Sequence, residues 1–316
     1  MTEPLLQVRD LRVSVGEVEA VHAIGFTLPH GRRTGLIGES GSGKTVTALA
    51  LMGLLPEGLT ATGSVIYRSQ DLLTLPESEL CRLRGDRMAM IFQEPLSALN
   101  PLMRVGDQVA EPLRIHRGAS REEARRRARE LLERVQLPDV VEKMRAYPHQ
   151  LSGGQRQRVM IAMAMACSPE LLVADEPTTA LDVTVQAQVL RLLDDLVDEE
   201  DATLLLITHD LPVVAEVCEL VLVMYGGHIV EEGETGEVFE QPRHPYTVGL
   251  LDAIPPLDAD LPDRHLKAIA GTVPALGEFP AGCPFRNRCP RADQLCQEMP
   301  ALSGGSHRVA CWHPLA

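Results

Sequence analysis

Eight residues, Gly38-Glu39-Ser40-Gly41-Ser42-Gly43-Lys44-Thr45, constrain this chain more than any other stretch. They complete the pattern G-x-x-x-x-G-K-[ST] between a short apolar run at 33–38 and a helix expected over about 45–54. A strand that turns through glycines into a helix N-terminus gathers backbone N–H groups around one point, and the helix end adds positive potential there. That arrangement predicts a cradle for phosphate. Gly38, Ser40, Gly41, Ser42 and Gly43 would line it, Lys44 would meet the β- and γ-phosphates of ATP, and the Thr45 hydroxyl would hold Mg2+. The chain has three lysines (44, 143 and 267) against 27 arginines, so a lysine at this one spot points to a chemical requirement.

Brief apolar runs at 33–38, 89–92, 171–174 and 204–208 read as buried parallel strands. Helical patterns separate them. Ser120-Arg-Glu-Glu123 has the form of a capping box, and Ala124, Ala128, Leu131, Leu132 and Val135 then place one apolar stripe on a helix whose other face is Arg and Glu. A second helix should follow Asp182, with Val185, Val189, Leu192, Leu193 and Leu196 on one side. The alternation predicts an α/β fold of the P-loop NTPase type. Past about Leu251 the periodicity gives way to Pro-rich and Cys-rich sequence, so the expected division is 1–250 and a small C-terminal extension, 251–316.

Leu171-Leu-Val-Ala-Asp175-Glu176 is an apolar strand ending in two acids. Adjacent strand residues point to opposite sides, so the two carboxylates can take different work. Asp175 suits Mg2+ through its water shell, and Glu176 is free to polarise an attacking water.

Between these motifs lies Leu151-Ser152-Gly153-Gly154-Gln155, opening a helix expected over 156–166. Here the chain resembles the ATP-binding cassette ATPases, whose signature this is. The resemblance implies an ABC-type nucleotide-binding domain with a helical subdomain at about 94–168. It also implies that Gln93 is the Q-loop residue beside the Mg2+ and water, that Thr179-Ala-Leu-Asp182 is the D-loop, and that His209 is the switch histidine at the γ-phosphate. Physically the signature is another helix N-terminus, with exposed amides and a serine hydroxyl suited to an anion. In the family that anion is the γ-phosphate bound by the opposite subunit, which assigns Ser152, Gly153, Gly154, Gln155 and Asp182 to nucleotide contact across a dimer. The family usually stacks adenine on an aromatic ring near the end of the first strand, and the matching residue here is Val15.

A narrower resemblance is carried by Gln93-Glu-Pro-Leu-Ser-Ala-Leu-Asn-Pro101, Tyr147-Pro-His-Gln150, Asp175-Glu-Pro-Thr-Thr179 and His244-Pro-Tyr-Thr247. These are similar to the oligopeptide/dipeptide importer ATPases, a group that includes nickel importers. Met160-Ile-Ala-Met-Ala164 and Ala174 are similar to the first of two paralogous ATPase subunits. The resemblance implies a heterodimer with the second paralogue, two membrane permeases and an extracytoplasmic binding protein. Pro95 and Pro101 stiffen the segment from Gln93 to about Val105, which would carry nucleotide state to a permease.

Charge and hydropathy fit that picture. With 44 acidic and 30 basic residues the formal net charge is -14, which disfavours nucleic acid and so a soluble cassette ATPase acting on ribosomes or DNA. The first ten residues lack a basic region and an apolar core, and no run of about 18 apolar residues occurs, so the expectation is a peripheral protein on the cytoplasmic face of the membrane.

Four of the seven cysteines fall in the last 34 residues, as Cys283, Cys289, Cys296 and Cys311 with spacing C-x5-C-x6-C-x14-C. In a reducing compartment that clustering predicts metal ligation in place of disulfides. Zinc sites usually pair cysteines as C-x2-C or C-x4-C, although His307 and His313 keep zinc as an alternative. Cys283-Pro284 and Cys289-Pro290 resemble steps found around iron–sulfur clusters, and similar tails in the dipeptide-type subunits support a [4Fe-4S] cluster. Cys81, Cys167 and Cys218 read as ordinary packing residues.

Overall fold

The computed structural model describes residues 4–179, 181–254 and 268–315. Ala180 of the expected D-loop, Lys267, and residues 255–267 near the start of the expected extension lie outside them. The strands are β1 (Pro4–Val15), β2 (Val18–Pro29), β3 (Arg33–Ile37), β4 (Leu59–Tyr67), β5 (Gln70–Asp71), β6 (Met88–Ile91), β7 (Leu171–Asp175), β8 (Thr203–Thr208), β9 (Leu220–Tyr225), β10 (His228–Glu234), β11 (Ser303–Gly304) and β12 (Arg308–Val309). The helices are α1 (Lys44–Leu51), α2 (Glu77–Leu83), α3 (Pro95–Ala98), α4 (Val105–Arg117), α5 (Arg121–Arg134), α6 (Val140–Lys143), α7 (Gly153–Ala164), α8 (Val183–Glu199), α9 (Leu211–Val217), α10 (Thr235–Glu240) and α11 (Pro245–Asp252).

The chain forms two compact units, one made of Met1–Leu5, Pro29–Gly31 and Thr74–Ile207, the other of Leu6–Leu28, Arg32–Leu73 and Thr208–Ala316. The first contains the parallel ladder β6-β7-β8, in register from Met88 opposite Leu171 to Asp175 opposite Ile207. Every residue of β6 and β7 is buried, as parallel strands covered on both faces require. On α5 the Ser120 hydroxyl accepts the Glu123 N–H at 3.2 Å, and Ala124, Ala128, Leu131 and Leu132 are buried as the stripe predicts. Helix α7 starts at Gly153, three residues before the expected Arg156, because Ser152 and Gln155 form a complete capping box. Cysteine packing is the other departure: Cys167 and Cys218 are buried, whereas Cys81 is exposed and its thiol donates to Glu77 Oε1 at 3.3 Å. A one-turn i,i+4 pair on the outer face of a short helix has no core to enter.

The second unit holds β3 parallel to β9, β9 antiparallel to β10, and β10 antiparallel to β12 through Glu231 opposite Val309. A separate four-stranded sheet has the order β2-β1-β4-β5. The tail is therefore stitched to β10 by backbone pairing, and side chains reinforce it. Aromatic residues are 3% of the chain, yet Tyr225, Tyr246, Phe279 and Phe285 meet in one cluster, with Tyr225 centroids 4.6 Å from Tyr246, 5.2 Å from Phe285 and 6.0 Å from Phe279. Buried Glu231 accepts from the backbone amides of Arg243 and His244 and from His307 of the tail, at 2.6, 2.9 and 2.7 Å.

His244 caps α11: its Nδ1 accepts the Tyr246 N–H at 3.0 Å while the ring is 1% exposed. Burial drops its pKa to about 3. The folded state thus binds fewer protons than the unfolded state below the ordinary imidazole value of about 6.5, and stability contributed by the neutral ring is whole above that pH and lost as pH falls toward 3. His244→Asn keeps a capping acceptor without the titration. Between pH 7.5 and pH 5 the parent should lose about 2 kcal/mol more stability than this variant, read from denaturant midpoints at the two pH values. Equal losses would contradict the assignment.

Candidate functional site

In the second unit β3 delivers the chain into the Gly38–Gly43 loop and α1 leaves it at Lys44. Two glycines are dictated by geometry. Gly38 has φ +154°, and a Cβ there would lie 2.1 Å from the Met224 carbonyl; Gly43 has φ +103° and closes on the Met224 side chain and the Ala20 carbonyl. The buried Lys44 ammonium donates to the carbonyls of Gly38 and Glu39 at 2.7 and 3.0 Å, with Ser42 Oγ at 3.5 Å. Ser42 is buried, while Thr45, Ser40 and Gly41 face outward. The Glu39 N–H donates to the Tyr246 hydroxyl at 2.7 Å, and both Glu39 carboxylate oxygens receive Arg288, at 2.6 and 3.1 Å. His209 is exposed directly after β8. Val15, at the expected adenine position, is an exposed apolar residue at the end of β1.

In the first unit β7 ends in buried Asp175, and Glu176 follows at φ +46°, a left-handed conformation that costs a non-glycine residue on the order of 1 kcal/mol and recurs at functional sites. Its carboxylate Oε2 accepts from Gln93 Nε2 at 3.1 Å and from Thr179 Oγ1 at 2.7 Å, so two sequence-predicted residues, Gln93 and Glu176, are in contact. Thr179 completes the set. The signature opens α7: Ser152 Oγ accepts the Gln155 N–H at 3.3 Å and Gln155 Oε1 accepts the Ser152 N–H at 3.1 Å. Both side chains are thereby engaged as caps, and the amides of Gly153 and Gly154, in the first turn, have no acceptor within the helix. Asp182 caps α8 by accepting the Val185 N–H at 3.0 Å.

All four tail cysteines line one small cavity in the second unit, with Arg286, Arg291, Phe285 and Trp312 also in its wall. Burial, joined by the charge of the other three, pushes the Cys283 thiol up to about 11, and burial raises Cys289 and Cys311 as well. Among the described residues the group whose ligand atoms all lie within 4.8 Å of one another is Asp293, Cys296 and His313. His313 Nε2 is 2.9 Å from Asp293 Oδ2.

Sequence reasoning missed Arg288, and it named Thr179 and Tyr246 only within motifs, without the contacts they make. Arg288 and Tyr246 act across more than 200 residues of chain, and no spacing announces them.

Two family descriptions match the chain: ABC transporter over residues 21–179, and oligopeptide/dipeptide transporter, C-terminal region, over residues 230–296. The oligopeptide transport ATP-binding protein OppD of Salmonella typhimurium is 49% identical over 318 residues, covering 98% of this chain and 94% of that protein. The probable D,D-dipeptide transport ATP-binding protein DdpD of Escherichia coli strain K12 is 48% identical over 323 residues, covering 99% and 98%. Among solved structures, the dimeric post-hydrolysis state of the ATP-binding cassette MJ0796 bound to ADP and Pi superposes with a TM-score of 0.65 at 30% identity, over 73% of this chain and 98% of that one.

Proposed function

The chain belongs to the ABC transporter family, in its oligopeptide/dipeptide branch, and from that premise we propose that it hydrolyses ATP to energise import of di- and oligopeptides. The observation that carries the enzymatic part is Glu176, strained at the end of β7 and held by Gln93 and Thr179 in a chain with a complete phosphate loop. Lys44 exchanges its carbonyl partners for the β- and γ-phosphates. The amides of the 38–45 loop bind the phosphate oxygens, and Glu176 orients the water that attacks the γ-phosphorus as the bond to ADP breaks. His209 contacts the γ-phosphate. Thr45, Asp175 and Gln93 offer the oxygen donors that a hard cation takes, and bound Mg2+ would neutralise charge on the β- and γ-oxygens.

The signature amides of Gly153 and Gly154, with Ser152, Gln155 and Asp182, serve the nucleotide of the second, paralogous subunit. The coupling segment offers Leu96 and Leu102, 60% and 87% exposed, to a permease. Among the described residues no helix is long and apolar enough to cross a membrane, in keeping with a peripheral subunit under two permeases fed by an extracytoplasmic binding protein. The match at 230–296 favours this reading over a cassette ATPase on ribosomes or DNA. Residues 1–250 form the nucleotide-binding domain in this reading, and 251–316 the extension.

For the extension the reading is a [4Fe-4S] cluster on Cys283, Cys289, Cys296 and Cys311. One zinc ion holds four thiolates about 2.3 Å from itself, which forces the sulfurs closer together than a cubane does. All four cysteines line one cavity, which supports a shared group on the four thiolates, whereas Asp293, Cys296 and His313, whose ligand atoms lie within 4.8 Å of one another, are the donors the zinc alternative would use. Arg286 and Arg291 in the cavity wall offset the negative charge of ligated thiolates. Binding to four thiolates would fasten a segment with little core of its own.

Two measurements test this. In the assembled transporter Glu176→Gln should cut ATP hydrolysis at least about a hundredfold while retaining ATP binding and trapping the dimer; hydrolysis at the parent rate would overturn the role. Anaerobically purified protein should be brown, with iron and acid-labile sulfide near about four each per chain. Cys289→Ser should lose both. Colourless protein with stoichiometric zinc would replace the cluster by its rival.

A further inference from the structure

We propose that Arg288 is a positioning residue for nucleotide binding: it neutralises and orients Glu39 in the phosphate loop, making the cysteine-bearing tail part of that loop's support. Glu39 is the one acid among residues 38–45, a stretch that has to receive a polyanion. Three separate groups fix it. The Tyr246 hydroxyl takes its N–H, Lys44 donates to its carbonyl, and the Arg288 fork engages both carboxylate oxygens.

Arg288 is itself held from all sides. Its side chain is 5% exposed; Nε donates to the Ala270 carbonyl at 2.9 Å and Nη1 lies 3.3 Å from the Tyr225 hydroxyl. The guanidinium carbon is 5.8 and 5.9 Å from the ring centroids of Tyr225 and Phe285. A planar, bidentate and stacked guanidinium aims a carboxylate in a way an ammonium cannot. The pair with Glu39 holds the guanidinium pKa above its ordinary value, so the charge is permanent.

The electrostatic consequence is direct. Removing Arg288 leaves a half-buried carboxylate, shielded little by solvent, in the loop that binds phosphate, and the repulsion opposes nucleotide. Arg288 immediately precedes Cys289, and Phe285 lies between Cys283 and Cys289, so the order of the tail and the charge of the loop are settled by the same few residues. Both residues lie in the second unit, and the inference needs no metal at the cysteines.

The test is titration of the full chain with a fluorescent mant-ADP in the presence of Mg2+. Arg288→Gln should raise Kd about tenfold, with the gap to the parent narrowing as salt rises. Arg288→Lys, which keeps the charge but loses the bidentate, stacked geometry, should fall between the two, weaker than the parent and tighter than Arg288→Gln. The decisive variant is Glu39→Gln with Arg288→Gln, uncharged and still able to hydrogen-bond, which should recover to within about threefold. A merely structural arginine predicts the opposite: the double variant as weak as Arg288→Gln, or Arg288→Gln binding like the parent, and either overturns the proposal. If Arg288→Gln does not accumulate, the double variant alone decides, since tenfold weakening there would contradict the neutralising role. The inference rests on reading residues 38–45 as the phosphate loop, and failure of that reading would show separately, as no mant-ADP binding by the parent.

Discussion

A polyanion in water is surrounded by dipoles that a protein has to replace, and the proposed phosphate loop of this chain offers backbone amides for that with almost no side-chain charge. That choice governs the second unit. Amides converge only where the chain reverses through conformations open to glycine, and the reversal is held between a buried strand and a helix N-terminus. The Met224 carbonyl lies where a Gly38 Cβ would stand, so β9 is packed against the loop as closely as backbone permits. Lys44 supplies the one positive side chain from within the loop, and in this structure it is satisfied by the carbonyls of Gly38 and Glu39. The loop is thus preformed, and in the proposed function nucleotide would replace the contacts that Lys44 already makes.

Support for the loop comes from late in the chain. With so few aromatic residues, gathering three others around Tyr225 brings Phe279 and Phe285 of the tail against Tyr225 and Tyr246. Backbone pairing of β12 with β10, the Glu231 and His307 contact, and the Arg288 pair then tie the extension down through protein contacts. A cluster on four cysteines would stiffen a segment that is already docked.

The legible and illegible parts of the sequence separate along one physical line. Contacts between neighbours in sequence leave a spacing, and these were readable: the strand-glycine-helix run at 33–51, the stripe of α5, the acids ending β7 and the cap at Asp182. The signature helix was placed three residues late because its glycines discourage a helical reading, whereas the Ser152 and Gln155 box starts the helix in spite of them. In β1 the alternation of Leu6 and Val8 is broken and resumed at Leu11 and Val13, because the strand carries a register shift between Arg9 and Arg12 where Asp10 has φ +48°. Arg288 left no local trace, since its partner is 249 positions away. Cys81 reads as a packing residue from its helix-like, partly apolar surroundings, yet its helix exposes that face.

Conversion of ATP hydrolysis into peptide entry is read out by uptake. Cells lacking the chain, and the same cells carrying it or its Glu176→Gln form, would be given labelled dipeptide, labelled oligopeptide and radioactive nickel in parallel. The account predicts that peptide uptake is lost without the chain, restored by the parent and not by the variant, with nickel uptake unchanged throughout. Peptide uptake unaffected by the deletion, with nickel uptake abolished, would contradict it.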